Sequence, residues 1–180
     1  MSITYTRATT DDELYQILGL QKENLKANVS SDEIEKEGYV TLQHNFDVLK
    51  RMNDSCAHVI AKDGDKLVGF ALSMIKEFRE DVALLQPMFE KIDLLAPNAN
   101  YIVMGQICID KAYRGQGIFR ALYNFMRSEL SMTFDLLITE VSEKNIRSLN
   151  AHKAVGFESM SYENHPEMMG ECVLLAWKWK

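Results

Sequence analysis

Tyr101-Ile-Val-Met-Gly-Gln-Ile-Cys-Ile-Asp-Lys-Ala-Tyr-Arg-Gly-Gln-Gly-Ile-Phe-Arg-Ala-Leu-Tyr-Asn-Phe-Met126 reads as a strand, a glycine-bearing turn and the start of a helix. Tyr101 to Ile109 is dominated by β-branched and apolar side chains, the composition of a largely buried strand. Arg114-Gly115-Gln116-Gly117 then supplies two residues without Cβ, so the backbone can take positive φ and approach a ligand closely. From Ile118 the pattern turns helical, with Ile118, Leu122, Phe125, Met126 and Leu130 along one stripe. A helix starting there aims free N–H groups and the positive end of its dipole at the turn, which suits a phosphate or pyrophosphate.

The charge pattern agrees. The chain carries 20 Lys+Arg against 26 Asp+Glu, yet Lys111, Arg114, Arg120 and Arg127 occupy a window without a carboxylate. An anion site explains that clearing; a solvated basic rim on an ordinary connection is the alternative.

Working outward, 180 residues amount to about one domain, 1–180, with enough chain for a real core. A composition of 47% hydrophobic and 26% charged residues is that of soluble globular material, and the net charge of −6 argues against general nucleic-acid binding. Met1-Ser2-Ile3-Thr4 leads straight into structure, with no signal-like segment and no membrane-spanning run. Cys56, Cys108 and Cys172 lack C-x-x-C spacing, so neither a disulfide framework nor a metal site is expected. A reducing cytoplasm fits that usage.

Upstream, Ile3 to Arg7 alternates as a strand and Thr10-Asp11-Asp12-Glu13 is a capping box opening a helix. Ser30-Ser31-Asp32-Glu33 repeats the signal, Gly38 stops that segment, and Thr41 to Met52 reads as a further helix. Glu23, Glu33, Glu35 and Glu37 read most simply as solvated surface charges. Two apolar runs, 58–62 and 66–74, flank Asp63-Gly64 and predict a hairpin, with His58 structural. Residues 76–100 contain a helix led by Pro87, an insertion that could lid a site or cover the sheet. Downstream come a buried strand, Phe134 to Val141, and a helix, Asn145 to Val155, closed by Gly156. Two last strands, 157–162 and 171–179, flank a polar loop holding His165 and Pro166.

No P-loop, H-E-x-x-H or G-x-S-x-G pattern is present. Gly115-x-Gly117-x-x-Arg120 comes near a dinucleotide fingerprint, with Glu140 at about the acidic position. But Arg120 replaces the third glycine and Asp110 to Tyr113 separate strand from turn.

The chain resembles the GCN5-related N-acetyltransferase (GNAT) family. That family's pyrophosphate loop, [QR]-x-x-G-x-[GA], is similar to Arg114-Gly115-Gln116-Gly117-Ile118-Phe119, with Phe119 departing from the final Gly/Ala. A second signature, N-x-x-[AS]-x-x-x-Y-x-x-x-G-F, resembles Asn145, Ser148, Gly156 and Phe157, with His152 where the family usually has tyrosine. The resemblance implies an α/β (α+β) fold: a mixed, mostly antiparallel sheet with a splayed parallel strand pair and helices on both faces. It implies acetyl-CoA as cosubstrate, with pantetheine alongside Gln106 to Ile109. Ile107, Cys108, Ile109 and Asn145 would hold it, and an amide of the strand would face the thioester oxygen. Asn145 serves equally as a helix N-cap.

An acceptor amine with a lysine-like pKa of ~10.4 is mostly protonated near neutral pH, so its attack needs proton removal. The departing thiolate benefits from an acid. The family often uses the tyrosine for this, a part His152 could take if it is not simply a core histidine. Gln106 cannot act as a base; it could position a water or pair within the sheet. No residue in the sequence identifies itself as the base. The expected activity is acetyl transfer from acetyl-CoA to a small-molecule or peptide amine by direct attack in a ternary complex. A catalytically weak or inactive coenzyme A-binding module and a partner-binding scaffold are the alternatives. Exposed strands near the C-terminus leave room for a homodimer; neither nucleic acid nor membrane is an expected partner.

Overall fold

Side-chain alternation at Ile3–Arg7 yields strand β1, and Thr10 then starts helix α1, Asp11–Asn24. The Glu13 amide donates to Thr10 Oγ1 at 3.2 Å and the Thr10 amide donates to the Glu13 carboxylate at 3.2 Å, closing the capping box. The structure, a computed structural model, describes residues 2–30, 34, 39–165 and 170–180. Most of the second capping signal, with Glu33, Glu35, Glu37, Gly38 and Pro166, lies outside those residues.

The helix expected from Thr41 begins later, as α2, Phe46–Ser55. Asn45 stops it from starting earlier: its backbone is extended and its side chain accepts the Val48 amide at 2.9 Å. Residues 41–45 are therefore non-helical chain, which bears on the site below. The hairpin pairs β2, Val59–Asp63, with β3, Lys66–Met74, through Gly64 at φ 60°. His58 is structural: Nδ1 accepts the Ser73 amide and Nε2 donates to the Leu49 carbonyl.

Helix α3, Gln86–Leu95, has Pro87 in its first turn, where a missing N–H breaks no helical bond. The chain continues through β4 (Tyr101–Ile109), α4 (Ile118–Leu130), β5 (Leu136–Ser142), α5 (Ile146–Val155), β6 (Glu158–His165) and β7 (Gly170–Lys178).

The seven strands form one sheet, ordered β1-β2-β3-β4-β5-β7-β6 and antiparallel except for β4 and β5. On one face, Ile118, Leu122, Tyr123, Met126 and Leu130 of α4 pack with Leu149 of α5 against Val59, Ala71, Ile102 and Leu137. On the other, Leu14 and Ile17 of α1 and Leu49 of α2 cover Ile60, Phe70 and Leu72. Met88, Phe89 and Ile92 of α3 cover Met74, Val103 and Ile138 on that same face. Each such fully buried side chain contributes roughly 1.5–3 kcal/mol. The 76–100 segment thus covers the sheet. No described helix is long and apolar enough to cross a membrane.

Two irregularities open the middle of the sheet. Strands β4 and β5 pair only over Tyr101–Val103 and Leu136–Ile138. Beyond that point Thr139 Oγ1 takes the Met104 carbonyl at 2.9 Å and the ladder ends. On its other edge β4 carries an extra residue, since Ala71 faces Ile107 while Ser73 faces Met104. A bulge of this kind leaves a residue unpaired and bends the strand.

Candidate active site

The glycine turn closes one end of a cleft of about 300 Å³. Gly115 and Gly117 adopt φ of 74° and 81°, values that L side chains rarely take. Both line the cleft, and a Cβ built on either would meet open space, with no atom beyond its chain neighbours within 4 Å. Gly117 is also the N-cap of α4 and supplies no capping side chain. Ile118 and Phe119 line the cleft, and as first-turn residues their amides have no partner within the helix, with the helix dipole behind them. That arrangement fits an extended ligand with a pyrophosphate, as coenzyme A has.

The sequence-predicted cofactor residues gather here, with differences among them. Ile107, Cys108, Ile109, Arg114, Gly115, Gly117, Ile118, Phe119 and Asn145 all line the cleft. Gln116 does not; its exposed side chain donates back to the Ala112 carbonyl at 3.3 Å. The Arg114 guanidinium donates to Asn24 Oδ1 at 2.6 Å and to the Ile109 carbonyl at 3.2 Å, fastening the turn to α1. Phe119 packs edge-on against Tyr123 and His152, with centroids 5.2 and 5.1 Å away. Its bulk is thus accommodated by the core beneath α4. Asn145 caps α5 by accepting the Ser148 amide at 3.2 Å. Burial pushes the Cys108 thiol up to about 12, so it stays protonated at neutral pH.

A second cavity, of about 110 Å³, adjoins the first. Tyr39, Val40, Ile107, Asn145 and Ser148 border both. Its floor is the opened strand pair, Val103–Ile107 and Thr139–Ser142; chain 39–44 and Leu84, Leu85 and Met88 wall it. The 76–100 segment therefore walls this cavity as well as covering the sheet.

Gln106 and His152 both reach this second cavity. Gln106 donates to the Leu42 carbonyl at 2.6 Å and accepts from Gln21 Nε2 at 2.6 Å, so it ties β4 to α1 and to chain 41–45. His152 is 1% exposed. Its Nδ1 donates to the Ser148 carbonyl at 2.7 Å, which leaves Nε2 to accept the Tyr123 hydroxyl at 2.7 Å. Burial lowers its pKa to about 4, so the ring is neutral at pH 7.

Two cavity residues were not among the acetyltransferase site residues expected from the sequence. Glu140 on β5 has a side chain only 3% exposed, and His165 Nε2 lies 2.9 Å from its carboxylate. Burial raises its pKa, with His165 opposing. The signal in the chain was a lone carboxylate set inside a largely apolar strand. His44 is 8% exposed and is held through Gln21, which donates to His44 Nδ1 at 3.0 Å. Nothing local marks His44, although Gln21 falls on the apolar stripe of α1, one turn after Ile17.

Comparison with known proteins places this geometry. A family model described as the acetyltransferase (GNAT) family matches residues 13–157. Among solved structures, the ribosomal-protein-S18-alanine N-acetyltransferase from Escherichia coli aligns at 14% identity and a TM-score of 0.62, covering 99% of this chain and 95% of that one. An N-acetyltransferase from Staphylococcus aureus Mu50 aligns at 13% identity and a TM-score of 0.66, with both chains fully covered. yncA from Salmonella typhimurium, solved with its cofactor acetyl-CoA, aligns at 10% identity and a TM-score of 0.65, covering 100% of this chain and 95% of that one. None of the curated proteins searched matches the chain. The solved structures share the fold and the family model spans both cavities: this chain belongs to the GNAT family of acetyltransferases.

Proposed function

We propose that this protein transfers an acetyl group from acetyl-CoA to a primary amine of a small molecule or peptide, by direct attack, with Glu140 as the proton acceptor. One observation carries this: the cleft behind the glycine turn meets a second cavity at Ile107, Asn145 and Ser148, and the residues lining that cavity include Glu140, whose carboxylate is buried beside it. Acetyl-CoA, when bound, supplies the acetyl thioester and a thiolate leaving group. Residues of the turn, Gly115 to Phe119, would hold its pyrophosphate, and Ile107 to Ile109 with Asn145 its pantetheine arm.

The chain's own residues then divide the remaining work. An amine enters mostly as the ammonium ion, and Glu140 attracts it and takes its proton, directly or through one water. A raised pKa makes Glu140 a better proton acceptor at neutral pH than an ordinary surface carboxylate. His165, 2.9 Å away, orients the carboxylate. Cys108, held as the thiol, offers no competing nucleophile. Gln106 keeps the second cavity open by fixing chain 41–45 against β4.

Glu140→Gln should keep coenzyme A affinity while lowering kcat by about 10²–10⁴-fold with any good acceptor. Calorimetry and a free-thiol assay across an amine panel measure the two, and an unchanged kcat removes Glu140 from the role.

A second reading rests on His152. With both ring nitrogens engaged by Ser148 and Tyr123, the position usually given to the family's tyrosine has no side-chain donor aimed at the leaving group. On that reading the protein binds coenzyme A with weak or no transfer, and the same amine panel would yield no thiol.

A further inference from the structure

Two buried side-chain polar atoms have no hydrogen-bond partner among the described residues: Trp179 Nε1 and His44 Nε2. Trp179 belongs to the hydrophobic cluster under α4 and borders neither cavity. His44 lines the second cavity and not the first.

Main-chain groups decide which ring nitrogen of His44 carries the proton. The Leu42 carbonyl can only accept, so Gln106 presents Nε2 to it and turns Oε1 towards Gln21. The His44 amide can only donate, so Gln21 presents Oε1 to it at 3.3 Å. Gln21 Nε2 then spends its two protons on Gln106 Oε1 and His44 Nδ1. Nδ1 is therefore an acceptor, and the neutral ring bears its proton on Nε2. Burial lowers the His44 pKa to about 4 and keeps the ring neutral at pH 7.

An N–H donor buried without a partner is destabilising unless something accepts from it. This one is buried and held in a fixed tautomer by three elements, on a residue that lines the cavity assigned above to the acceptor. We propose that His44 is an acceptor-binding residue, donating from Nε2 to a neutral oxygen, carbonyl or hydroxyl, carried by the amine substrate. Gln21 and Gln106 are its positioning residues. A neutral oxygen fits better than a carboxylate because Glu140 already puts a negative charge on the same cavity. The inference rests on the second cavity being the acceptor site.

The test uses matched amines, alaninamide and ethanolamine against sec-butylamine and propylamine. Their affinities for the coenzyme A-bound protein come from NMR titration, and their acetyl transfer from thiol release. Wild type should favour the oxygen-bearing members by about tenfold or more. His44→Phe should abolish that preference, and His44→Gln, which keeps an N–H near the Nε2 position, should retain most of it. Comparing ratios between proteins cancels the intrinsic reactivity of each amine. No preference in wild type, or the same preference in His44→Phe, overturns the assignment. A binding preference with no transfer to any amine would instead sink the acetyltransferase reading and uphold His44. Should His44→Phe fail to fold, ring-nitrogen NMR of wild type decides. Alaninamide, and not sec-butylamine, should move the His44 Nε2 resonance; no movement overturns the proposal.

Discussion

Mild acid should destabilise this protein well above the pH at which its paired carboxylates titrate. His44, His58 and His152 are each buried in one neutral tautomer, set by Gln21, by Ser73 with Leu49, and by Ser148 with Tyr123. Burial lowers His44 and His152 to about 4 and His58 to about 3, from 6.5. With depressed folded values, the unfolded chain binds more protons than the native one. Stability is therefore full above about pH 6.5, falls as pH drops below it, and levels off only below about 4. At pH 5 each unfolded imidazole is almost wholly protonated and each native one is not. The loss from pH 7 to pH 5 is on the order of 2 kcal/mol per ring, or on the order of 5 kcal/mol for three. A domain stable by ~5–15 kcal/mol is brought near its limit by that loss. Glu140, with a raised pKa, works the other way, but it is one carboxyl against three rings. Glu13, Asp110 and Glu163 have lowered values and lose their contribution only at more acid pH. Urea unfolding at pH 7, 6 and 5 without coenzyme, followed by fluorescence of the buried Trp177 and Trp179, measures the effect. His152→Tyr removes one titrating ring and should cut the loss by about one third. A loss under about 1 kcal/mol, or the same loss in the variant, would refute this account of the histidines.

Two further outcomes concern the glycine turn and the buried histidine beneath Phe119. Gly117→Val forces a β-branched residue to a φ of 81° and puts its side chain into cleft space; coenzyme A affinity should fall more than about tenfold by calorimetry while the fold survives. His152→Phe leaves the Tyr123 hydroxyl buried without its partner and should lower stability by about 1–3 kcal/mol. With both ring nitrogens engaged by Ser148 and Tyr123, kcat of the folded variant at saturating acetyl-CoA should change by less than about tenfold; a drop of about 10²–10⁴-fold with partial rescue in His152→Tyr would instead make His152 the acid.

Local chemistry was legible in the sequence. The Thr10 capping box, the Asp63-Gly64 hairpin, Pro87 near a helix start, the Gly115/Gly117 turn and the Asn145 cap each depend on residues a few positions apart. All five form as the pattern predicts. The helix read from Thr41 forms but starts five residues later, at Phe46, for the same reason: Asn45 competes locally for the Val48 amide, a contest that apolar spacing does not register. Motif order sufficed to identify the family.

Proton chemistry in the second cavity was decided by tertiary structure alone. Glu140 meets His165 across 25 residues, because β7 returns between β5 and β6. Gln21 meets His44 across 23 residues and Gln106 across 85, joining a helix, a coil and a strand whose proximity no local pattern encodes. The ionisation of His152 likewise follows from the layer that buries it beneath Phe119 and beside Tyr123. Propensities and caps act within a turn or two of chain, and the sequence spells them out. A pKa or a tautomer depends on desolvation and on partners brought together by strand order, so it exists only once the sheet has formed.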